Sequence, residues 1–321
     1  MFSLNFGIIC NEWLTNERIK IDIEIKYSTF TKYYDIVNNH IRRLFEIDTS
    51  SFDIDVVNNF ISNLYSRGRI DNKGGLSEKY ITDIYSVLRA IIEYALDKGY
   101  LQRFNFKKVK SFKKDMSVIR VFTSSQQELL VKYLISDIDF CKMGTILAFY
   151  SGMRIGEICA LKFSDIDFTE GSVRIYKTLQ RVKNLDENAE SKTKIIITSP
   201  KSSKSIRVLP VQGDILKYLF ELKRKYNCKD EYYLLTGTSK YIEPRLLEKK
   251  FKTYLEECNL ENINFHSTRH TFATIAVEKE FDIKTLSEIL GHSKVTFTLE
   301  RYVHSSMKQK RTNIEKLTFP I

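Results

Sequence analysis

The sequence predicts a two-domain protein, with an all-α front domain followed by a mixed α+β domain that is mostly helical. Three observations carry this reading. A chain of 321 residues is longer than one hydrophobic core usually organises. The first hundred residues repeat their apolar positions at helical spacing. After Asp167 the apolar period changes to two and later returns to helical spacing. The expected divisions are a helical domain over 1–106, a basic linker over 107–121, and a second domain with a C-terminal tail over 122–321.

In the front domain, Ser28 is expected to cap a helix reaching Glu46, with Tyr33, Val37, Ile41 and Leu44 as its stripe. A second helix is expected over 54–65, burying Val57, Ile61 and Leu64. Ser77 opens a third, with Ile81, Ile84, Leu88, Ile91 and Ala95 on one face and Gly99 closing it. Arg103, Lys107, Lys108, Lys110, Lys113, Lys114 and Arg120 then face a single acid, Asp115. Such a run suits either a solvated linker or a strap along phosphates, and a linker that crosses DNA is both. In the second domain Thr145–Tyr150 is an apolar helix stopped by Ser151-Gly152. Strands are expected at Val173–Ile175, Lys194–Ile197 and Ile206–Val211, with Asn184–Ser191 a polar hairpin tip that extends toward DNA or a neighbouring protomer. Helices resume with Ile215, Leu219 and Leu222, then Leu247, Phe251 and Tyr254.

Composition excludes several classes. With 43% apolar and 28% charged residues the chain is too apolar for wholesale disorder. Cys10, Cys141, Cys159, Cys228 and Cys258 lie far apart without a CxxC pair, which argues against a disulfide framework and a cysteine zinc site. No run approaches the ~20 apolar residues of a membrane span, and the front lacks a basic signal-peptide region. A cytoplasmic protein is expected. Basic residues (51) exceed acidic ones (40), and both parts share the surplus: 19 against 15 over residues 1–120, and 32 against 25 over 121–321. A polyanion, foremost nucleic acid, is the expected partner.

Chemistry concentrates near the C-terminal end. His266-Ser267-Thr268-Arg269-His270 sets two histidines at i and i+4, the spacing of a helical zinc site. The hydrolytic glutamate of such sites is missing, and Arg269 would put a fixed cation beside the metal. A guanidinium among imidazoles suits an oxyanion better, because its planar fork matches phosphate and stays charged. No metal and no cofactor are expected.

Four segments resemble the tyrosine recombinase (phage integrase) family. Ser151-Gly152-Met153-Arg154-Ile155-Gly156-Glu157 resembles its first arginine box, and His266 to His270 its HxxRH box. Leu290-Gly291-His292, followed ten residues later by Tyr302, resembles its last histidine and nucleophile. Pro200-Lys201-Ser202-Ser203-Lys204-Ser205-Ile206-Arg207 resembles the hairpin that carries its lysine. Each box alone is weak, whereas four in order over about 150 residues are specific.

The resemblance implies a C-shaped clamp on duplex DNA, formed by a helical core-binding domain and a catalytic domain. The implied reaction is site-specific recombination, integrating and excising a mobile element. Tyr302 would attack phosphorus, form a 3′-phosphotyrosine and release a 5′-hydroxyl, with no ATP needed because the link conserves the bond energy. Arg154 and Arg269 would clamp the phosphate. His266 and His292 would exchange protons there, one of them protonated to favour phenolate. Lys201 would protonate the leaving oxygen, with Lys204 its rival. Glu157 would brace from behind, and His270 would support by packing rather than carry a proton. Lys107, Lys108, Lys110, Lys113 and Lys114 would bind DNA. The implied partners are double-stranded attachment sites, a homo-tetramer on DNA, and accessory bending or excision factors, with the protein nucleoid-associated. The segment Ser305–Ile321 would dock on an adjacent protomer. Longer members add an arm-binding domain at the front, which is not read here. Two alternatives share the fold or chemistry: a catalytically silent DNA-binding accessory protein, and a type IB topoisomerase that relaxes supercoils as a monomer.

Overall fold

The computed structural model describes residues 4–71, 73–109, 120–186, 188–200, 203–302 and 314. Backbone contacts divide it into two compact units, Met1–Ser117 with Val182–Thr193, and Val118–Arg181 with Lys194–Ile321.

The first unit contains α1 (Phe6–Ile19), α2 (Tyr27–Asn39), α3 (Ile54–Arg67) and α4 (Glu78–Asp97). Polar caps set two of the starts: Asp53 accepts from the N–H groups of Asp55 and Val56, both at 3.0 Å, and Ser77 Oγ accepts from that of Tyr80. On α4, Ile81, Ile84, Leu88, Ile91 and Ala95 are fully buried, and α1, α2 and α3 all pack against it. Gly99, at φ 75°, turns the chain away. The helix expected from Ser28 to Glu46 differs. It starts at Tyr27 and ends at Asn39, and Ile41–Leu44 forms a separate 3-10 turn that still buries both apolar ends. The stripe continues through the break because a tight turn keeps nearly the same face inward. The apolar start of the chain is itself helical: Phe6, Ile9, Cys10, Trp13 and Leu14 line the buried side of α1, and Phe6 stacks on Phe52 at 4.1 Å.

The second unit opens with α5 (Ser124–Ser136), α6 (Phe140–Ser151) and α7 (Ile155–Ala160). Nearly every side chain of α6 is buried, and α5 together with the helices at 213–225, 244–257 and 266–278 surrounds it, as expected of a helix that is apolar all round. Next come β1 (Ile166–Asp167), β2 (Ser172–Ile175), β3 (Thr178–Lys183), β4 (Thr193–Thr198) and β5 (Arg207–Pro210). An antiparallel sheet of order β1-β2-β5 pairs Val173 with Leu209 and Ile175 with Arg207. Val173, Ile175 and Leu209 face the core, the period-two signature of the sequence. β3 and β4 form a separate two-stranded ribbon. Its tip, residues 182–193, belongs to the first unit, where Lys183 pairs with Asp35 and Leu185 N–H donates to Tyr27 Oη at 3.2 Å. The chain then forms α8 (Gly213–Lys225), α9 (Pro244–Glu257), α10 (His266–Glu278), α11 (Ile283–Leu290) and α12 (Val295–Tyr302). Among the described residues no helix is long and apolar enough to cross a membrane.

Candidate active site

Gly152 ends α6 at φ 64°, and a Cβ there would sit 2.7 Å from Phe272 and 2.9 Å from Leu290, so the turn needs glycine. This turn delivers Arg154 to the start of α7. Glu157, one helical turn on, accepts the Arg154 backbone N–H at 2.9 Å and its guanidinium at 2.8 Å. The same carboxylate, 2% exposed, accepts two bonds from Arg207, at 2.9 and 3.2 Å. Arg207 also donates to the Ile289 and Ser205 carbonyls. Burial alone would raise the Glu157 pKa, but the Arg207 hydrogen bonds and the charges of Arg207 and Arg154 hold it below the usual range. It is a buried anion shared by two cations.

On α10, the spacing i, i+3, i+4 sets His266, Arg269 and His270 on one face. Arg269 is 2% exposed, and its guanidinium donates to the carbonyls of Gly152 and Leu290, each at 2.7 Å. It also meets His292 Nε2 at 2.9 Å. Gly291, at φ 62°, closes α11 and turns His292 toward Arg269; a Cβ there would press on Arg207 and Ser205 at 3.1 and 3.2 Å. A guanidinium has donors only, so His292 Nε2 must accept. The ring therefore carries its proton on Nδ1 and donates it to Thr298 Oγ1 at 2.8 Å. Thr298 sits one turn before Tyr302 on α12 and is fully buried. Arg154 reaches the Gly291 carbonyl at 3.5 Å, which joins the two arginine boxes at the His292 turn.

Tyr302 is 8% exposed, and its hydroxyl lies 2.7 Å from His270 Nδ1. Its ring runs parallel to His292 at 6.5 Å, and the rings of His266 and His270 meet edge to face at 4.7 Å. Arg154, Glu157, His266, Arg269, His270, His292 and Tyr302 thus form one connected cluster. Burial pushes the phenol pKa of Tyr302 up, against the pull of Arg269, Arg301 and Arg154, so the hydroxyl is protonated at neutral pH.

Displacement of water and the surrounding guanidiniums lower His266 to about 4, His270 to about 4 and His292 to about 3. With four guanidiniums around them and Glu157 the nearby anion, all three rings are neutral at pH 7 in the chain alone, whereas the expected protonated histidine is one beside a bound phosphate. Burial and Arg154 lower even Arg269 to about 9, still cationic at neutrality. Between pH 6.5 and these depressed values the unfolded chain binds protons that the folded one refuses, so stability falls as pH falls. Replacing His292 with Gln should lessen that slope near pH 5 by about 1.4 kcal/mol per pH unit. Urea titrations at pH 7, 6 and 5 check it; an unaltered slope would mean His292 takes its proton equally in both states.

Lys201, Lys110, Lys113 and Lys114 lie outside the described residues, as does the segment after Tyr302 apart from Ile314. Lys107 and Lys108 are exposed on a 3-10 turn, Phe106–Lys108. Lys204 donates to the carbonyl of Ser293, beside His292, at 3.1 Å. Sequence reasoning missed three features: the Arg207 clamp on Glu157, the Thr298 contact, and the place of His270 on Tyr302. The i−4 spacing of Thr298 from Tyr302 was the available signal for one. Nothing in the sequence signalled the pairing across β5 and α7.

The phage integrase family matches residues 120–309. The XerC-like tyrosine recombinase of Caldanaerobacter subterraneus subsp. tengcongensis is 27% identical, over 98% of this chain and 83% of that protein. The ICEBs1 integrase of Bacillus subtilis is 23% identical over the same shares. Among solved structures, the Tn1549 transposon integrase in complex with transposon right end DNA has a TM-score of 0.77 at 19% identity, over 98% of this chain and 99% of that one. A λ integrase dimer bound to a core site has a TM-score of 0.65 at 16% identity, over 94% and 78%. With its arginine boxes, histidines and tyrosine gathered in one cluster and more than half its length matched, this chain belongs to the phage integrase family.

Proposed function

We propose that this DNA strand transferase cuts and rejoins duplex DNA at the attachment sites of a mobile element, with Tyr302 as nucleophile and a 3′-phosphotyrosine as intermediate. One observation carries the reading: a buried tyrosine hydroxyl shares a cluster with Arg154 and Arg269, held by groups from three separate helices. A phosphodiester beside that hydroxyl meets fixed cations that need no reorganisation as charge builds on its non-bridging oxygens. Arg154 and Arg269 then act as the clamp. His266 and His292, neutral at rest, become hydrogen-bond donors once an anion raises their pKa values, and His292 must first release Arg269 from Nε2. Lys201 protonates the departing 5′-oxygen, with Lys204 its rival.

The helical unit serves as the core-binding domain, and the basic run through Lys107, Lys108, Lys110, Lys113 and Lys114 tracks phosphates. Synapsis of two duplexes calls for a tetramer, with Ser305–Ile321 docking on the next protomer. The relatives' own names speak of recombinases and integrases, and two of the neighbouring structures hold DNA. The protein would act at the nucleoid, alongside accessory bending or excision factors.

A nicked suicide attachment-site duplex tests the reading. Wild type should give a denaturant-resistant adduct on the 3′ side of the break, undiminished by a chelator. Its absence, or quenching by the chelator, would remove the proposal. A product that is only relaxed DNA would favour the topoisomerase alternative. The same assay decides the lysine. A substrate with sulfur at the 5′ bridging position should restore cleavage to Lys201→Ala, because thiolate leaves without a proton. Rescue of Lys204→Ala instead would exchange the two assignments, and rescue of neither would discard the general acid.

A further inference from the structure

We infer that His270 is a catalytic residue of this enzyme: its Nδ1 takes the proton from Tyr302 as the hydroxyl attacks phosphorus, and returns it when the strand is rejoined. The inference rests on Tyr302 being the nucleophile. Geometry carries it. The hydroxyl must lose a proton to become an ester oxygen, and among the three imidazoles at the site the one bonded to it is His270, at 2.7 Å. His292 Nε2 is engaged by Arg269 and its Nδ1 by Thr298, so neither nitrogen is free for the phenol. His266 packs edge to face on the His270 ring.

The arrangement is also self-consistent in protons. The Tyr302 hydroxyl is protonated at rest because burial outweighs the cations around it. The His270 ring is neutral at rest, and in the tautomer with its proton on Nε2 the Nδ1 atom accepts from the phenol. A protonated phenol beside a neutral imidazole is a donor–acceptor pair already formed before DNA arrives. In cleavage the Tyr302 Oη–P bond forms, the P–O5′ bond breaks, and the tyrosine proton moves to His270 Nδ1. The departing 5′-oxygen takes its proton from the hairpin lysine. Negative charge from the incoming phosphate favours the imidazolium that results. In rejoining, the imidazolium gives its proton back to the leaving phenolate, so one group serves both directions.

The alternative is that His270 supports Tyr302 by packing alone. The two readings differ in what a non-basic replacement does. His270→Asn sets an amide oxygen near the Nδ1 position, so the hydrogen bond can persist while the proton cannot be taken. Single-turnover adduct formation on the nicked duplex should slow by ~10²- to 10³-fold in His270→Asn, with binding to the same DNA unchanged. A fluorinated tyrosine at 302, whose phenol ionises near neutrality, should recover at least roughly tenfold of that loss, because an easily ionised phenol needs less help from a base. His270→Gln, measured in parallel, reports the same pattern if Asn disturbs the fold, and DNA binding by either variant certifies that it folds. An adduct rate near wild type in either variant overturns the inference, as does a slow variant that fluorination fails to speed. Failure of the underlying reading is distinct: wild type forms no adduct, or Tyr302→Phe still does.

Discussion

Tyr302→Phe should bind attachment-site DNA as tightly as wild type and form no covalent adduct with it. One oxygen is removed from a side chain that is otherwise buried and packed on α10 and α11. The ring fills the same space, so the folded state loses the hydroxyl's hydrogen bonds, to His270 and Arg301, at a cost of about 0.5–1.5 kcal/mol each. Binding depends on cations spread over both units and keeps all of them. Cleavage has no substitute nucleophile at that point. Loss of a nucleophile in hydrolases costs on the order of 10⁶-fold, which puts residual cutting below detection here. Denaturing gels after overnight incubation, with a mobility shift on the same samples, make the measurement. The chain has 18 tyrosines, so a persisting adduct would mean that another one attacks.

Glu157→Gln should be the most destabilising conservative change in the catalytic unit, by about 3–5 kcal/mol. The carboxylate is 2% exposed and sits between Arg154 and the nearly buried Arg207. Gln keeps the shape but removes the charge, leaving one buried guanidinium without an anion and another without its anchor. The cost is that of an uncompensated buried charge, not of a weak surface pair. Adding Arg207→Met to Glu157→Leu should recover much of the stability, because a well-packed apolar pair can replace a buried ionic one. It should not recover cleavage, because Arg154 would still have lost the carboxylate that aims it. Urea unfolding and adduct assays on the single and double variants separate the two effects. A Glu157→Gln midpoint close to wild type would show that water reaches this pair.

Much of the site was legible because its residues come in local units. Helical spacing alone puts His266, Arg269 and His270 on one face, and one turn links Arg154 to Glu157. α4 was equally legible, since Ser77 caps it and its apolar stripe never breaks. The end of α2 was not, because a stripe of apolar residues reads the same through a 3-10 turn as through an α-helix, and Asn39-His40 carries no Gly or Pro to mark the break. Arg207 was illegible for a different reason. Its partner lies fifty residues away, and only the pairing of β2 with β5 and the closeness of α11 bring the two together. The charge state of the histidines lay further out of reach, because it depends on how many guanidiniums fold around them.

The anchors of Arg269 on Gly152 and Leu290 are main-chain oxygens. Mutation cannot delete a peptide carbonyl, so the grip on this arginine from Leu290 is insulated from side-chain change there, whereas Gly152 stays fixed by its turn. Leu290 can diverge to another residue of similar bulk without loosening the grip, and a lineage can rewrite the neighbourhood while keeping the chemistry. An engineer who diversifies this site for a new DNA target inherits the same freedom at Leu290, but not at the two glycine turns or at His292.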